Sequence, residues 1–136
     1  VRGARALPIV FPVHPRTARN LELIGLTPPN LLCTGPLGYL EFHHLVERAF
    51  AVITDSGGVT EEATVLDVPC FTLRDTTERP ETVTLGTNVL VGTDPKKLAH
   101  HLDDLFAGRR KQGTIPPLWD GRAGERIVAH LEQILA

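Results

Sequence analysis

The sequence is poor in the residues that would indicate a metal framework or a disulfide scaffold. Its 136 residues include two cysteines, one tryptophan, one tyrosine and no methionine. Two cysteines cannot form a four-cysteine zinc site, and Cys33 and Cys70 both lie in apolar segments, so we expect buried, reduced thiols. Because an open reading frame normally begins with methionine, a chain that begins with Val1 is expected to be a piece of a longer protein.

Other absences narrow the functional class. A formal net charge of −2 gives no reason to expect nucleic acid or an anionic membrane as a partner. No apolar run is long enough to span a bilayer, and no signal-like segment begins the chain. No histidine, cysteine and carboxylate spacing resembles a metal site, and no Gly-x-Gly-x-x-Gly follows the first apolar run. We therefore expect a cytoplasmic protein that uses no metal and no dinucleotide cofactor.

Apolar runs that alternate with helical patterns predict an α/β fold. A hydrophobic content of 42% with 22% charged residues is typical of a globular chain. Strands separated by helices favour a doubly wound, mostly parallel, Rossmann-like sheet of about five strands in one domain over residues 1–136. The predicted strands are residues 8–13, which should be buried on both faces, then 30–33, 51–54, 69–73 and 88–91. The predicted helices begin after a cap at Thr17, at residue 39, at the Ser56 turn, at Asp94-Pro95 and at about residue 124.

The turn Ser56-Gly57-Gly58 follows an apolar strand and precedes a helical pattern. The first backbone N–H groups of a helix lack intrahelical partners, and two glycines let an anion approach the backbone closely. Ser56 or Asp55 could instead act only as a helix cap. From the residues alone, a phosphate site and a well-capped helix remain equally good interpretations.

Charged residues beside this turn extend the candidate site. The segment 74–81 carries Arg74 and Arg79 with two threonines, which suits phosphate or sugar hydroxyls, although an internally salt-bridged surface loop is an alternative. Adjacent helical residues point about 100° apart, so only one of Glu61 and Glu62 can face a ligand, and Glu62 is our choice. His14, at the end of the first strand, is the histidine best placed to reach a ligand.

Four segments, 11–17, 36–42, 54–62 and 73–81, resemble the non-hydrolysing UDP-N-acetylglucosamine 2-epimerases. The combination of Asp-Ser-Gly-Gly-x-x-Glu-Glu with Arg-Asp-x-Thr-Glu-Arg-Pro-Glu is specific, and residues 118–127 are similar to the closing segment of that family. The resemblance covers nearly the whole chain. It implies the C-terminal domain of a two-domain GT-B fold, without the N-terminal domain and without the first strand of this one.

The resemblance also implies a role for each candidate residue. Ser56 and the backbone of Gly57 and Gly58 would hold the diphosphate, and Glu62 would hold the ribose. Arg79 would reach toward the sugar and the pyrophosphate. Leu37 and Phe42 would flank the uracil. The substrate-binding residues implied are therefore Leu37, Phe42, Ser56, Gly57, Gly58, Glu62 and Arg79.

The reaction implied by the resemblance is the conversion of UDP-GlcNAc to UDP-ManNAc by elimination and re-addition of UDP. It requires no metal and no cofactor, and the family's acid and base carboxylates belong to the other domain, so no catalytic residue is expected here and this chain alone should be inactive. Its expected partners are the UDP-sugar, the N-terminal domain and, as is common in the family, a second copy. The alternatives are the donor domain of a GT-B glycosyltransferase and a non-catalytic UDP-sugar-binding module.

Overall fold

A computed structural model of the chain describes residues 7–25 and 28–135. The chain divides into two compact units, Val1–Leu45 and Val46–Ala136. The strands are β1 (Ile9–Pro12), β2 (Leu31–Thr34), β3 (Val52–Thr54), β4 (Cys70–Thr72) and β5 (Asn88–Leu90). The helices are α1 (Pro15–Leu23), α2 (Tyr39–Arg48), α3 (Gly57–Val65), α4 (Pro80–Thr84), α5 (Pro95–Phe106) and α6 (Ala123–Leu135).

The five predicted strands are present, and all described pairings are parallel, so the predicted α/β class agrees with the structure. In the described residues they form two sheets, β1–β2 and β3–β4–β5, instead of one five-stranded sheet. The three-stranded sheet is in register, with Thr54 opposite Thr72 and Thr72 opposite Leu90. That residues 1–136 form one domain stays a prediction.

The first unit corrects two predictions. β1 is not buried on both faces: Ile9, Val10 and Phe11 are 39–49% exposed, and helix α1, which follows β1, buries none of its own residues. Helix α1 begins at Pro15, so Thr17, the predicted cap, lies inside the helix. Proline presets the backbone angle of a first helical residue, and the Nδ1 atom of His14 accepts a hydrogen bond from the Arg16 N–H at 3.3 Å. His14 is therefore the N-cap.

The second unit packs helices on both faces of its sheet. Neighbouring residues of a strand point to opposite faces, and on central strand β4 both Cys70 and Phe71 are buried. Cys70 belongs to a cluster with Ala63 of α3, whereas Phe71 belongs to a cluster with Leu105 of α5. This arrangement of helix, sheet and helix is the doubly wound architecture predicted from the sequence.

The predicted helix cap at Asp94 is confirmed, and the predicted burial of both cysteines is wrong for one of them. Asp94 caps α5, as predicted, since its carboxylate accepts a hydrogen bond from the Lys96 N–H at 2.9 Å. Both cysteines are free, but only Cys70 is buried: Cys33 is exposed on β2, in the sparsely covered first unit. Burial raises the pKa of the Cys70 thiol from 9.0 to about 12. Within residues 7–25 and 28–135, no helix has the length and apolar character required to cross a bilayer.

Candidate functional site

The candidate site lies at the carboxyl edge of the three-stranded sheet. Because β3, β4 and β5 run parallel and in register, the segments that follow Thr54, Thr72 and Leu90 all leave the sheet at this edge. The Leu73 N–H donates to the Thr54 carbonyl at 2.8 Å, which holds the start of the 74–81 segment beside the end of β3. Ligands of open parallel sheets bind beyond this edge. The topology thus brings the Ser-Gly-Gly turn and the arginine segment together.

The turn before α3 presents unpaired backbone donors. Ser56 is the N-cap residue, with extended backbone angles, and its side chain makes no capping hydrogen bond. Its own N–H donates to the Thr54 hydroxyl at 3.0 Å, which fixes the turn to the end of β3. The first intrahelical bond to this turn comes from the Thr60 N–H, at 3.3 Å from the Ser56 carbonyl. The N–H groups of Gly57, Gly58 and Val59 therefore lie at the positive end of α3 without intrahelical acceptors.

The two glycines of the turn have different surroundings. A Cβ added to Gly57 would lie 2.6 Å from Glu78 Oε1 and 3.9 Å from Arg79 Cγ, so the arginine segment packs directly on this residue. A Cβ added to Gly58 would meet no other atom within 4 Å. Gly57 consequently allows the close approach of the 74–81 segment, and open space lies beside Gly58 at the helix end.

The two arginines of the 74–81 segment have different partners. Arg74 pairs with Glu78 inside the segment, at 3.2 Å between Nη1 and Oε2, as the salt-bridged-loop alternative predicts. Arg79 reaches out of the segment to α3, where its Nε lies 2.8 Å from Glu61 Oε1. That Nε is buried, and its contact with Glu61 has the geometry of an ion pair and not of a hydrogen bond. Arg79 therefore places its guanidinium beside the second turn of α3, where it pairs with the carboxylate of Glu61.

The adjacent glutamates of α3 take separate roles, as expected from their helical positions. Glu61 pairs with Arg79, and Glu62, also half-buried, makes no ion pair among the described residues. Thr60 and Thr64 are buried on the core side of the helix, where the Thr64 hydroxyl donates to the Thr60 carbonyl at 2.9 Å. That Glu62 contacts a ligand stays a prediction. The contact between Glu61 and Arg79 was not predicted, because sequence spacing does not show which loop packs on a helix.

Leu37 and Phe42 lie in the first unit and are both half-buried. Leu37 precedes α2 in the 35–38 loop, and Phe42 lies on the first turn of that helix. The Gly38 N–H donates to Glu41 Oε2 at 2.9 Å, and the Phe42 N–H donates to the Gly38 carbonyl at 2.9 Å. These bonds fix the loop that carries Leu37. Contact of the two side chains with a uracil stays a prediction.

Helix α4 is a feature that the sequence interpretation missed. The sequence predicts a loop over residues 74–81, but the helix Pro80–Thr84 begins inside them, with Arg79 as its N-cap residue. Proline at the first position and Glu81 in the first turn are ordinary signals of a helix start. In the part of the chain that the structure describes, no group of three or more histidine, cysteine, aspartate or glutamate side chains could hold a metal ion.

The chain is similar to one enzyme family over almost its whole length. The family model described as UDP-N-acetylglucosamine 2-epimerase matches residues 1–132. The UDP-N-acetylglucosamine 2-epimerase of Methanocaldococcus jannaschii is 44% identical over 125 residues, which is 88% of this chain and 34% of that protein. The UDP-2,3-diacetamido-2,3-dideoxy-D-glucuronate 2-epimerase of Pseudomonas aeruginosa is 49% identical over 127 residues, 93% of this chain and 35% of that protein.

A solved structure agrees with these matches. The crystal structure of the M. jannaschii UDP-GlcNAc 2-epimerase in complex with UDP-GlcNAc and UDP is similar with a TM-score of 0.77 and 43% identity. The match covers 93% of this chain and 36% of that one. The chain therefore spans about a third of the length of the relatives that it matches. The predicted fold class is confirmed by this match.

Proposed function

The chain belongs to the UDP-N-acetylglucosamine 2-epimerase family, and from this premise we propose that it is the nucleotide-binding part of a UDP-sugar 2-epimerase. One observation carries the proposal most directly. The amino end of α3, which is open at Gly58, and the guanidinium of Arg79 lie on the same edge of one sheet. Free backbone N–H groups, a helix dipole and a fixed cation together match the charge of a diphosphate.

In this proposal the described residues act on the leaving group of the reaction. The diphosphate accepts hydrogen bonds from the N–H groups at Gly57 and Gly58 and from the Ser56 hydroxyl. Arg79 reaches the end of the diphosphate that carries the sugar. Elimination breaks the bond between the sugar and the diphosphate, so negative charge develops on the departing UDP. Donors held in place before the reaction stabilise that charge without reorganising. The same elimination removes the proton from C2 and leaves a double bond between C1 and C2. Re-addition of UDP to C1, with a proton returned to the opposite face of C2, then forms the epimer.

The remaining contacts of the substrate are assigned by the same proposal. Glu62 accepts hydrogen bonds from the ribose hydroxyls, and Leu37 and Phe42 flank the uracil. The groups that move protons lie in the N-terminal domain, which is the partner of this chain, so the chain alone does not turn over substrate. A cytoplasmic location and a homodimer are part of the proposal as well.

The sugar attached to UDP has two candidates. UDP-GlcNAc is the substrate named for the M. jannaschii relative. The P. aeruginosa relative, with its higher identity of 49%, is named for a diacetamido glucuronate. The proposed contacts of this chain hold the nucleotide, and they serve either sugar equally. UDP-GlcNAc is the first choice, and the modified UDP-uronic acid is the second.

Calorimetric titration of the 136-residue chain with UDP and with 2′-deoxy-UDP tests the proposal. Wild type should bind UDP more tightly than 2′-deoxy-UDP, because a hydrogen bond from a ribose hydroxyl to a carboxylate contributes about 1.5–3 kcal/mol, or roughly 10- to 150-fold in Kd. Glu62→Ala should abolish most of this preference. Glu61→Ala, which removes the neighbouring carboxylate, should leave the ratio of the two Kd values unchanged.

Three results would contradict parts of the proposal separately. No binding of UDP at millimolar concentration would refute the nucleotide-binding role itself. Loss of the ribose preference in Glu61→Ala, with retention in Glu62→Ala, would exchange the roles of the two glutamates. Detectable interconversion of UDP-GlcNAc and UDP-ManNAc by this chain alone would refute the assignment of proton transfer to the N-terminal domain.

A further inference from the structure

A continuous line of buried hydrogen bonds connects the sheet to the backbone of Arg79. The Thr72 hydroxyl on β4 donates to Asn88 Oδ1 on β5 at 2.6 Å. Asn88 Nδ2 donates to the Thr82 hydroxyl on α4 at 3.1 Å, and that hydroxyl donates to the Arg79 carbonyl at 2.7 Å. The first three residues are 2%, 0% and 0% exposed. Such groups cannot exchange these partners for water, so loss of one bond leaves a buried polar atom unsatisfied.

The line has one consistent direction. A threonine hydroxyl carries a single proton, and Thr82 uses its proton on the Arg79 carbonyl. Thr82 must then accept from its other neighbour, which only the amide nitrogen of Asn88 can satisfy. The amide oxygen is left for the Thr72 hydroxyl. The amide of Asn88 therefore accepts a hydrogen bond through its oxygen on one side and donates one through its nitrogen on the other.

The Arg79 backbone has few other supports. Its N–H donates to the Thr77 hydroxyl at 3.0 Å, and its carbonyl receives the Thr82 hydroxyl together with the Thr82 N–H at 3.1 Å. Helix α4 contains only five residues, too few for a helix to be stable by its own hydrogen bonds. The position of Arg79 consequently depends on how α4 is held: by its contacts with the sheet, and by Lys111, whose Nζ donates to the carbonyls of Val83 on α4 and Asn88 on β5.

We propose that Thr82 and Asn88 are positioning residues, which hold the Arg79 guanidinium at the phosphate site by fixing the carbonyl of Arg79 to the sheet. The proposal rests on the nucleotide-binding function proposed above. The guanidinium lies at 2.8 Å from Glu61 on α3, at the far end of a flexible side chain. Because backbone displacement moves the whole side chain, loss of the Thr82 bond weakens the contact of Arg79 with a diphosphate without removing the charge. Misplacement by about 1 Å is enough to impair such a contact.

Thr82→Val, Thr82→Ser and Thr87→Val form a matched set for the test. Thr87 is also 2% exposed, and its hydroxyl donates to a backbone carbonyl, that of Val68, at 2.7 Å. Both valine variants keep the side-chain shape and remove one buried hydroxyl, but only Thr82 is bonded to Arg79. We expect Thr82→Val to raise the Kd for UDP about fivefold or more, which is a partial loss of the roughly 10- to 150-fold that a guanidinium–phosphate hydrogen bond contributes. Thr82→Ser and Thr87→Val should each stay within about twofold of wild type.

A double-mutant cycle with Arg79→Ala shows whether Thr82 acts through Arg79. If it does, Thr82→Val has no further effect on the Kd for UDP once Arg79 is alanine. The proposal is overturned if Thr87→Val weakens binding as much as Thr82→Val, or if the effect of Thr82→Val persists in the Arg79→Ala background. If Thr82→Val does not fold, Thr72→Val removes the first bond of the line and is tested in the same cycle.

The test separates this proposal from the one on which it depends. Wild type that does not bind UDP refutes the nucleotide-binding function. Arg79→Ala that binds UDP as tightly as wild type refutes the role of Arg79, and the positioning proposal with it. A tenfold or larger loss in Arg79→Ala with no loss in Thr82→Val refutes the positioning proposal alone.

Discussion

Replacement of Arg79 by alanine should weaken UDP binding far more than replacement of Arg74 by alanine. The two arginines lie five residues apart in the same segment and are similarly exposed, 42% and 48% at the side chain. Each pairs with one glutamate, at 2.8 Å for Arg79 and 3.2 Å for Arg74. Either substitution removes one positive charge from the same region. The two side chains point in different directions: Arg79 reaches α3, whereas Arg74 pairs within its own segment.

The expected magnitudes follow from these contacts. An ion pair between partly exposed groups contributes about 0.2–1 kcal/mol, so both variants should lose little free energy of unfolding. A hydrogen bond from a guanidinium to a phosphate oxygen contributes about 1.5–3 kcal/mol, which predicts a roughly 10- to 150-fold rise in Kd for Arg79→Ala. Arg74→Ala retains every proposed phosphate contact, so its Kd should rise less than about threefold.

Titration calorimetry at two salt concentrations, with urea unfolding of each variant as a control for folding, measures both quantities. The general effect of charge weakens with salt and is common to the two variants, whereas the direct contact of Arg79 persists at high salt. Equal losses of affinity in the two variants, or a difference that disappears at high salt, would refute the reasoning. Arg79 would then contribute only to the electric field around the site.

Two further predictions concern stability. The folded protein holds the Cys70 proton more tightly than the unfolded chain, since burial raises the pKa from 9.0 to about 12. The free energy of unfolding should therefore fall as the pH rises through this range, by up to about 4 kcal/mol. Urea titrations at pH 8 and pH 11 should show a smaller fall for Cys70→Ala than for wild type. An equal fall in the two proteins would contradict the prediction. A Cβ on Gly86 would lie 2.5 Å from side-chain atoms of Thr64, so Gly86→Ala should cost about 1–3 kcal/mol. Gly58→Ala, where the added Cβ meets no atom of another segment within 4 Å, should cost nothing in urea unfolding. Equal losses in the two variants would show that the core around Gly86 relaxes.

The candidate site was predictable where its signal is local. Strand, small turn and helix start follow one another around Ser56, and the parallel topology brings the turn and the 74–81 segment to one edge. The partners within that edge were not predictable, because the contact of Arg79 with Glu61 spans 18 positions of sequence and depends on how a loop packs on a helix. The capping role of Ser56 was predicted with its side chain, yet only its backbone caps α3.

Local sequence by itself determined the order of the elements, the parallel α/β class and the glycine turn, because periodicity, proline and glycine act within a few residues of the chain. The motifs also determined the family. Tertiary structure alone decided which of two similar arginines faces α3, that Cys33 is exposed while Cys70 is buried, and that Thr72, Asn88 and Thr82 form one line of hydrogen bonds. The physical reason is the same in each case: burial and hydrogen-bond partners are set by segments that are distant in sequence and meet only when the sheet has formed.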